Sequence, residues 1–430
     1  MTRKTPLWRL LAAAGAASLV LAACGGDDDD GDGTEPEAEP TGEATDGEAP
    51  MFEGQLAIGT LLPQTGSLAF LGPPEFAGVD LAVQEINEAG GVGGNEVTVT
   101  HTDSGDTTTD IATQSTEQLL SEGVAAIIGA ASSGVSFTVL DQIVQNETIM
   151  FSPANTSPDF TTYADDNLYF RTAPSDVLQG RVLADLVLGD GHVDVGIMAL
   201  QDAYGEGLAE YTRVGLEDGG GAVVEEIIYD PQAASYTAEV TQMAAANPEA
   251  IVLIGFDETS TILPELETQG VGPQDVPVYF VDGNLSNYGD ELPEGFLEGN
   301  KGTLPGAEAP EEFQQRLLEV NPDLNDFSYA GESYDAVVLV ALAAIQAQSV
   351  ESRDIADNLV AVSKDGTECT TFTECADLLG QGEDIDYNGV SGPITFSDAG
   401  DVTEATIGIY EYQADNTYVN VDYQFGSLEE

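Results

Sequence analysis

QLAIGTLLPQTGSLAFLGPPEFAGVDLAVQEINEAGGVGGNEVTVTH, residues 55–101, is the stretch on which the fold turns. It opens on a β-rich run, Leu56 to Leu62, and closes on a second, Glu96 to His101. Between them Phe76, Val79, Leu81, Val83 and Ile86 recur at roughly helical spacing, which predicts an amphipathic helix near 74–89. Gly90, Gly91, Gly93 and Gly94 then stop the helix and turn the chain. Strand, helix and strand in this order form a βαβ unit, and such units build largely parallel sheets.

The same rhythm continues downstream. Strands are expected at Val124 to Gly129 and Thr148 to Ser152, with helices near 110–121 and 134–146. After Pro174 the plan starts again. Strands are expected at Val193 to Ala199, Val223 to Tyr229, Ala250 to Gly255 and Val278 to Val281, and helices near 176–188, 206–218, 236–246 and 259–269. Further helices are expected near 309–320, 332–348 and 352–361, and short strands with hairpins from Ile394 to Phe425. Two sheets of one plan put two sets of strand ends around one cleft. In open α/β sheets, ligands bind beyond the carboxyl ends of the strands. That directs attention to Ala131 to Gly134, Ser152 to Ser157, Gln201 to Tyr204, Phe256 to Glu258 and Asp282 to Asn284.

The N-terminus carries an address. Arg3, Lys4 and Arg9 precede a short apolar run, Leu10 to Leu21, which ends in Leu21-Ala22-Ala23-Cys24. A run this short is no comfortable membrane span; residues 1–24 read as a processed signal peptide. The ending resembles the lipobox of bacterial lipoproteins, in which the Cys thiol, here Cys24, takes the lipid. Residues 25–53 are rich in Gly, Asp, Glu, Pro and Thr and are expected to be a disordered acidic tether, because such a composition cannot offset its ordering entropy by burial.

Charge narrows the function classes. The chain of 430 residues holds 77 acidic and 10 basic side chains, a net charge of −67, which repels nucleic acid and anionic membranes. It reads as adaptation to a salty exterior. His101 and His192 are the only histidines and sit in no catalytic or metal spacing. No GxSxG elbow, phosphate loop or HExxH occurs, so the chain is expected to be no enzyme and to carry neither metal nor cofactor. Cys369 and Cys375 are the only thiols after Cys24, and outside the cell they read as a disulfide.

From about residue 54 onward the chain resembles the substrate-binding proteins of branched-chain amino acid ABC transporters, the leucine/isoleucine/valine-binding type. The resemblance is carried by GTLLPQTGSLAFLG (59–72), EINEAGGVGG (85–94), IIGAASSG (127–134), SPANTSPDF (152–160), FRTAPSD with QG (170–180), AYGEG (203–207), SYDAVVL (333–339) and SGPITFSDAGD (391–401), in this order. It implies an α/β, type I periplasmic-binding-protein fold: two doubly wound parallel-sheet lobes joined by a three-stranded hinge. Lobe 1 would be 54–173 and 305–389, and lobe 2 would be 174–304 and 390–430.

The resemblance also implies roles. Ser133, with Ser132 beside it, would take a solute carboxylate at a helix start, where free N–H groups favour an anion. Ala154 and Thr156 would contact the same headgroup. Tyr204 would cover the solute, and Asp282 would face its ammonium, since a buried cation needs a fixed counter-charge. Leu71 stands where such proteins often place a Tyr, and Phe256 and Asp257 occupy the region of another aromatic contact, so the side-chain pocket is this chain's own. The expected activity is capture of a small amino acid by hinge closure, as a monomer anchored to the membrane, and delivery to permease subunits with their ATPases. An amide, a urea-like or other small polar ligand, and service as a ligand sensor, are the alternatives.

Overall fold

The computed structural model describes residues 52–307 and 309–428. The signal peptide, Cys24 and nearly all of the expected tether lie outside the described residues.

The first sheet is built by β1 (Ala57–Leu62), α1 (Gly72–Glu88), β2 (Thr98–Asp103), α2 (Ile111–Glu122), β3 (Ala126–Gly129), α3 (Ser133–Gln145), β4 (Ile149–Ser152) and β5 (Tyr169–Arg171). Its strands are all parallel, in the order β2-β1-β3-β4-β5. Helices cover both faces, so β1 is apolar on both: Ile58 and Leu62 face one core, Leu61 the other. Gly59 lets α2 lie close to β1, since a Cβ there would stand 2.7 Å from Leu119 Cδ2.

The second sheet follows with α4 (Asp176–Gly189), β6 (Asp194–Leu200), α5 (Ala203–Asp218), β7 (Ala222–Tyr229), α6 (Thr237–Ala246), β8 (Ala250–Ile254), α7 (Thr259–Thr268), β9 (Val278–Phe280) and β10 (Lys301–Pro305). The chain then returns to the first lobe. There α8 (Glu311–Val320), α9 (Ala330–Ala347), α10 (Ser352–Leu359), β11 (Thr367–Cys369), α11 (Phe372–Gly380) and β12 (Ile385–Tyr387) pack around α1. A hairpin, β13 (Glu404–Tyr412) and β14 (Tyr418–Ser427), completes the second sheet as β14-β13-β10-β9-β8-β6-β7. The hairpin is antiparallel, so this sheet is largely parallel with an antiparallel edge, in keeping with the hairpins expected at the end of the chain.

α9 is long and apolar enough to cross a membrane by length and composition. Here it is the central helix of the first core, with Val337 to Ala344 fully buried. Cys369 and Cys375 form the disulfide, closing β11 onto α11.

The chain crosses between lobes after β5 at Thr172, after β10 at Gly306, and before β13. The last crossing lies later than the sequence suggests. Phe396 bridges to Val402, and both pack in the first core together with Ile394, so the segment after 390 stays with lobe 1 until Thr403. Gly306 has φ +93, a left-handed backbone open to glycine at little cost.

Candidate functional site

Each candidate side chain is set by a strand end and the helix that follows. β3 ends at Gly129; Ser132 caps α3, its hydroxyl accepting from Val135 N at 3.3 Å. Ser133 then stands in the first turn, 2% exposed, with its Oγ accepting from Ser157 N at 3.3 Å. β4 leads into the loop Ser152–Ser157, pinned by Asn155, whose amide donates to Ala130 O at 2.9 Å and Ala131 O at 2.8 Å. This pinning presents Ala154 and Thr156 toward the second lobe. Thr156 Oγ1 is buried and has no hydrogen-bond partner. In the second lobe, Asp202 caps α5 through Gly205 N at 2.8 Å and places Tyr204 in the first turn. Asp282 lies two residues past the end of β9.

Leu71, Ser132, Ser133, Ala154, Thr156, Tyr204, Phe256 and Asp282 line one cavity between the lobes, with Leu68, Gly283 and Tyr329. Asp257 is not among them; it faces a separate cavity at the cleft mouth. Phe256 stacks on Tyr204 with ring centroids 5.5 Å apart, forming with Leu68 and Leu71 an apolar wall.

Asp282 is the electrostatic centre. Its Oδ1 accepts from Tyr204 Oη at 2.7 Å and Gln179 Nε2 at 2.9 Å, and its Oδ2 accepts from Tyr329 Oη at 2.8 Å. Burial raises its pKa, and these three donors oppose the rise. Asp176, also fully buried, is pushed well above the usual carboxylate range by burial and then by the charge of Asp282. Asp282 lines the cavity with no Lys, Arg or His among the described residues around it, which makes a place suited to a positive group.

Tyr329, Gln179 and Asp176 escaped the sequence reading. Tyr329 precedes α9 in a left-handed conformation, φ +59, and nothing local in FSYAGESYD marks it as reaching a residue 47 positions away. Gln179 and Asp176 lie inside FRTAPSD with QG, but their roles depend on α4 packing against β10.

The lobes are closed on each other. Tyr329 bonds Asp282 across the cleft, Asp202 Oδ2 lies where a Cβ on Gly134 would be 3.0 Å away, and Pro158 Cδ stands 2.7 Å from a Cβ built on Gly207. The cavity is about 20 Å³ in this arrangement, so a solute enters only when the lobes part.

The cleft mouth is acidic on both sides. Asp106 of the first lobe and Asp202, Asp257 and Glu258 of the second line a cavity of about 340 Å³, with no basic residue among those described there. Burial, then the charge of Asp106, raises the pKa of Asp257, and burial lifts Asp202 to about 6. Closure therefore works against like-charge repulsion, which salt screens over about 3 Å at 1 M but only about 10 Å at 0.1 M. Solute affinity should fall about fivefold when NaCl is lowered from about 1 M to 0.1 M, and the doubly neutralised Asp106→Asn, Asp257→Asn protein should lose most of that dependence. Titration calorimetry at the two salt levels decides it; equal slopes in both proteins would remove the mouth as the cause.

The sequence model of the periplasmic binding proteins matches residues 55–416. The chain belongs to this family. Leu/Ile/Val-binding protein homolog 3 of Brucella melitensis is 30% identical over 225 residues, 51% of this chain and 60% of that one; the alignment thus spans less than two thirds of that relative. Leu/Ile/Val-binding protein BraC3 of Rhizobium johnstonii is 25% identical over 85% of this chain and 94% of its own. Among solved structures, the branched-chain amino acid transporter substrate-binding protein LivJ of Streptococcus pneumoniae, in complex with isoleucine, superposes with TM-score 0.69 at 20% identity, covering 87% of this chain and 100% of that one. A solute-binding protein of R. palustris in complex with benzoate does so with TM-score 0.69 at 18% identity, covering 87% and 98%. This periplasmic binding protein has the type I two-lobed fold of these structures, and those relatives and neighbours are solute-binding proteins rather than enzymes. Family membership implies an extracytoplasmic location.

Proposed function

We propose that this chain is the lipid-anchored receptor of an ABC importer and that its solute is a small amino acid with an aliphatic side chain. The observation that carries the reading is Asp282: a buried carboxylate held by three donors at one end of a cavity whose other end offers Ser133 and the partnerless hydroxyl of Thr156. A zwitterion is complementary to both ends. Its ammonium meets Asp282, displacing or sharing the Tyr329 bond, and its carboxylate meets Ser133 and the N-terminus of α3. The side chain then lies on Leu68, Leu71 and Phe256. A benzoate, as in the R. palustris protein, has no positive group to offer Asp282.

Opening at the hinge admits the solute to Ser133, Ala154 and Thr156, and rotation brings Tyr204 and Asp282 over it. The closed form is then the one a permease with its ATPases recognises, while lipidated Cys24 holds the protein, as a monomer, at the membrane. There is no bond-making step.

A thermal-shift screen of the twenty amino acids, small amides, urea and benzoate tests the solute. Leucine, isoleucine or valine should raise the melting temperature, and the amides and benzoate should not. A shift from benzoate or an amide with none from any amino acid would overturn the assignment.

A further inference from the structure

A second cavity, of about 550 Å³, lies on the far side of Tyr329 from the solute cavity, and Tyr329 lines both. It is bounded by the end of β10 with the crossing at Gly306, by the turn 325–332 that enters α9, by Val390 and Ser391, and by the β13–β14 hairpin. Its size is that of a small-molecule site. Its chemistry is uneven. Tyr410, Tyr418 and Tyr423 line the hairpin side, with Tyr410 and Tyr418 edge to face at 5.4 Å. Asp326 and Glu332 line it as well, and no Lys, Arg or His is among the described residues around it.

Glu332 makes this more than a crevice. It is 6% exposed, yet its carboxylate lies against Gly306 and borders the cavity, and no cation pairs with it among the described residues. Behind it Glu75, in α1, is fully buried with both carboxyl oxygens unpartnered. Burial lifts Glu332 to about 8, and burial together with the charge of Glu332 holds Glu75 well above its ordinary range. A buried acid with no counter-charge destabilises the fold when it ionises, and a cation at Glu332 would relieve that cost. Asp326, by contrast, is already engaged, accepting from Ser328 N at 2.7 Å and Tyr418 Oη at 3.0 Å, and so fixes the ring of Tyr418.

We propose that this hinge cavity is a second small-molecule site, and that it takes an organic cation: a substituted ammonium whose charge meets Glu332 and whose carbon body lies on Tyr410, Tyr418 and Tyr423. A metal ion would need several converging oxygens, and no such group of acids occurs among the described residues. Aromatic faces beside a carboxylate favour a charge spread over carbon, because the ring quadrupole attracts it and the methyl groups shed little water. The cavity draws walls from both lobes, so its occupant touches the hinge directly.

The test uses the full chain and tetramethylammonium chloride, titrated calorimetrically in buffer whose total chloride is held constant with NaCl, so that general attraction to the net charge of −67 cancels. Saturable binding of one cation per chain is expected. Glu332→Gln, which replaces the carboxyl by a neutral amide of the same shape, should weaken it by about tenfold or more, and Tyr418→Leu should weaken it similarly. Thermal melts show which variants are folded, and either one suffices. Heats that never saturate, or binding undiminished in whichever variants fold, would overturn the proposal.

Discussion

Replacing Asp282 by Ala should abolish the thermal shift given by the true solute, a loss of affinity of about a hundredfold or more. Removing one partner of a buried ion pair costs about 3–5 kcal/mol, and every 1.4 kcal/mol is tenfold in affinity. The loss would exceed that from any apolar wall residue, because among the described residues Asp282 is the only carboxylate lining the closed cavity itself. Its three donors make the test sharper. Without the carboxylate, Tyr204, Gln179 and Tyr329 would turn three donors toward the space where an ammonium should sit. Asp282→Asn keeps the shape and tests charge alone; it should behave nearly as badly as the Ala variant. Ser133→Ala is the companion at the carboxylate end and should weaken the shift as well. Calorimetric titration of the solute found by the screen supplies the numbers. Undiminished binding in both Asp282→Asn and Ser133→Ala would show that the headgroup lies elsewhere.

The second large effect concerns stability. Arg171, at the end of β5, is completely buried and forms an ion pair with Asp401, Nε to Oδ1 at 2.5 Å. Its Nη1 donates to Ser157 O at 2.8 Å and Asn155 O at 3.3 Å, and its Nη2 donates to Thr161 Oγ1 at 3.3 Å. One guanidinium therefore ties the last strand of the first sheet to the loop carrying Thr156 and to the turn before the third crossing. Arg171→Met leaves Asp401 and two carbonyls without their donor. The expected cost is about 3–5 kcal/mol, a fall in melting temperature of about 10 °C for lobes of this size. Adding Asp401→Asn to Arg171→Met should recover part of the loss, since the uncompensated charge is then gone. Solute affinity should drop too, because the loop that presents Ala154 and Thr156 is no longer held. A melting temperature within about 2 °C of the unaltered protein would refute the account.

Much of this architecture was legible in the residues. Alternating apolar runs of two periods, stopped by Gly at the right places, marked the strands and helices of both lobes to within a few residues. Local pattern is enough there, because strand and helix each bury a face with its own repeat. The rule that solutes bind beyond strand ends then pointed to segments that do meet in one cavity, Ser132–Ser133, Ala154–Thr156, Tyr204, Phe256 and Asp282. Asp257 was the exception. It is the next residue after Phe256, yet the turn that carries Phe256 inward carries Asp257 out to the mouth.

What the amino-acid order determined by itself was thus the two-lobed α/β plan, the location of the cleft and the absence of any catalytic spacing. Periodicity and turn chemistry are properties of neighbours along the chain. Only the tertiary structure decided which groups surround Asp282, that Tyr329 lines two cavities, that Glu332 is buried at the edge of one of them, and where the third strand of the hinge leaves the first lobe. Each of these joins residues dozens to hundreds of positions apart, and a contact of that range is set by how helices seat on sheets, which no local pattern encodes.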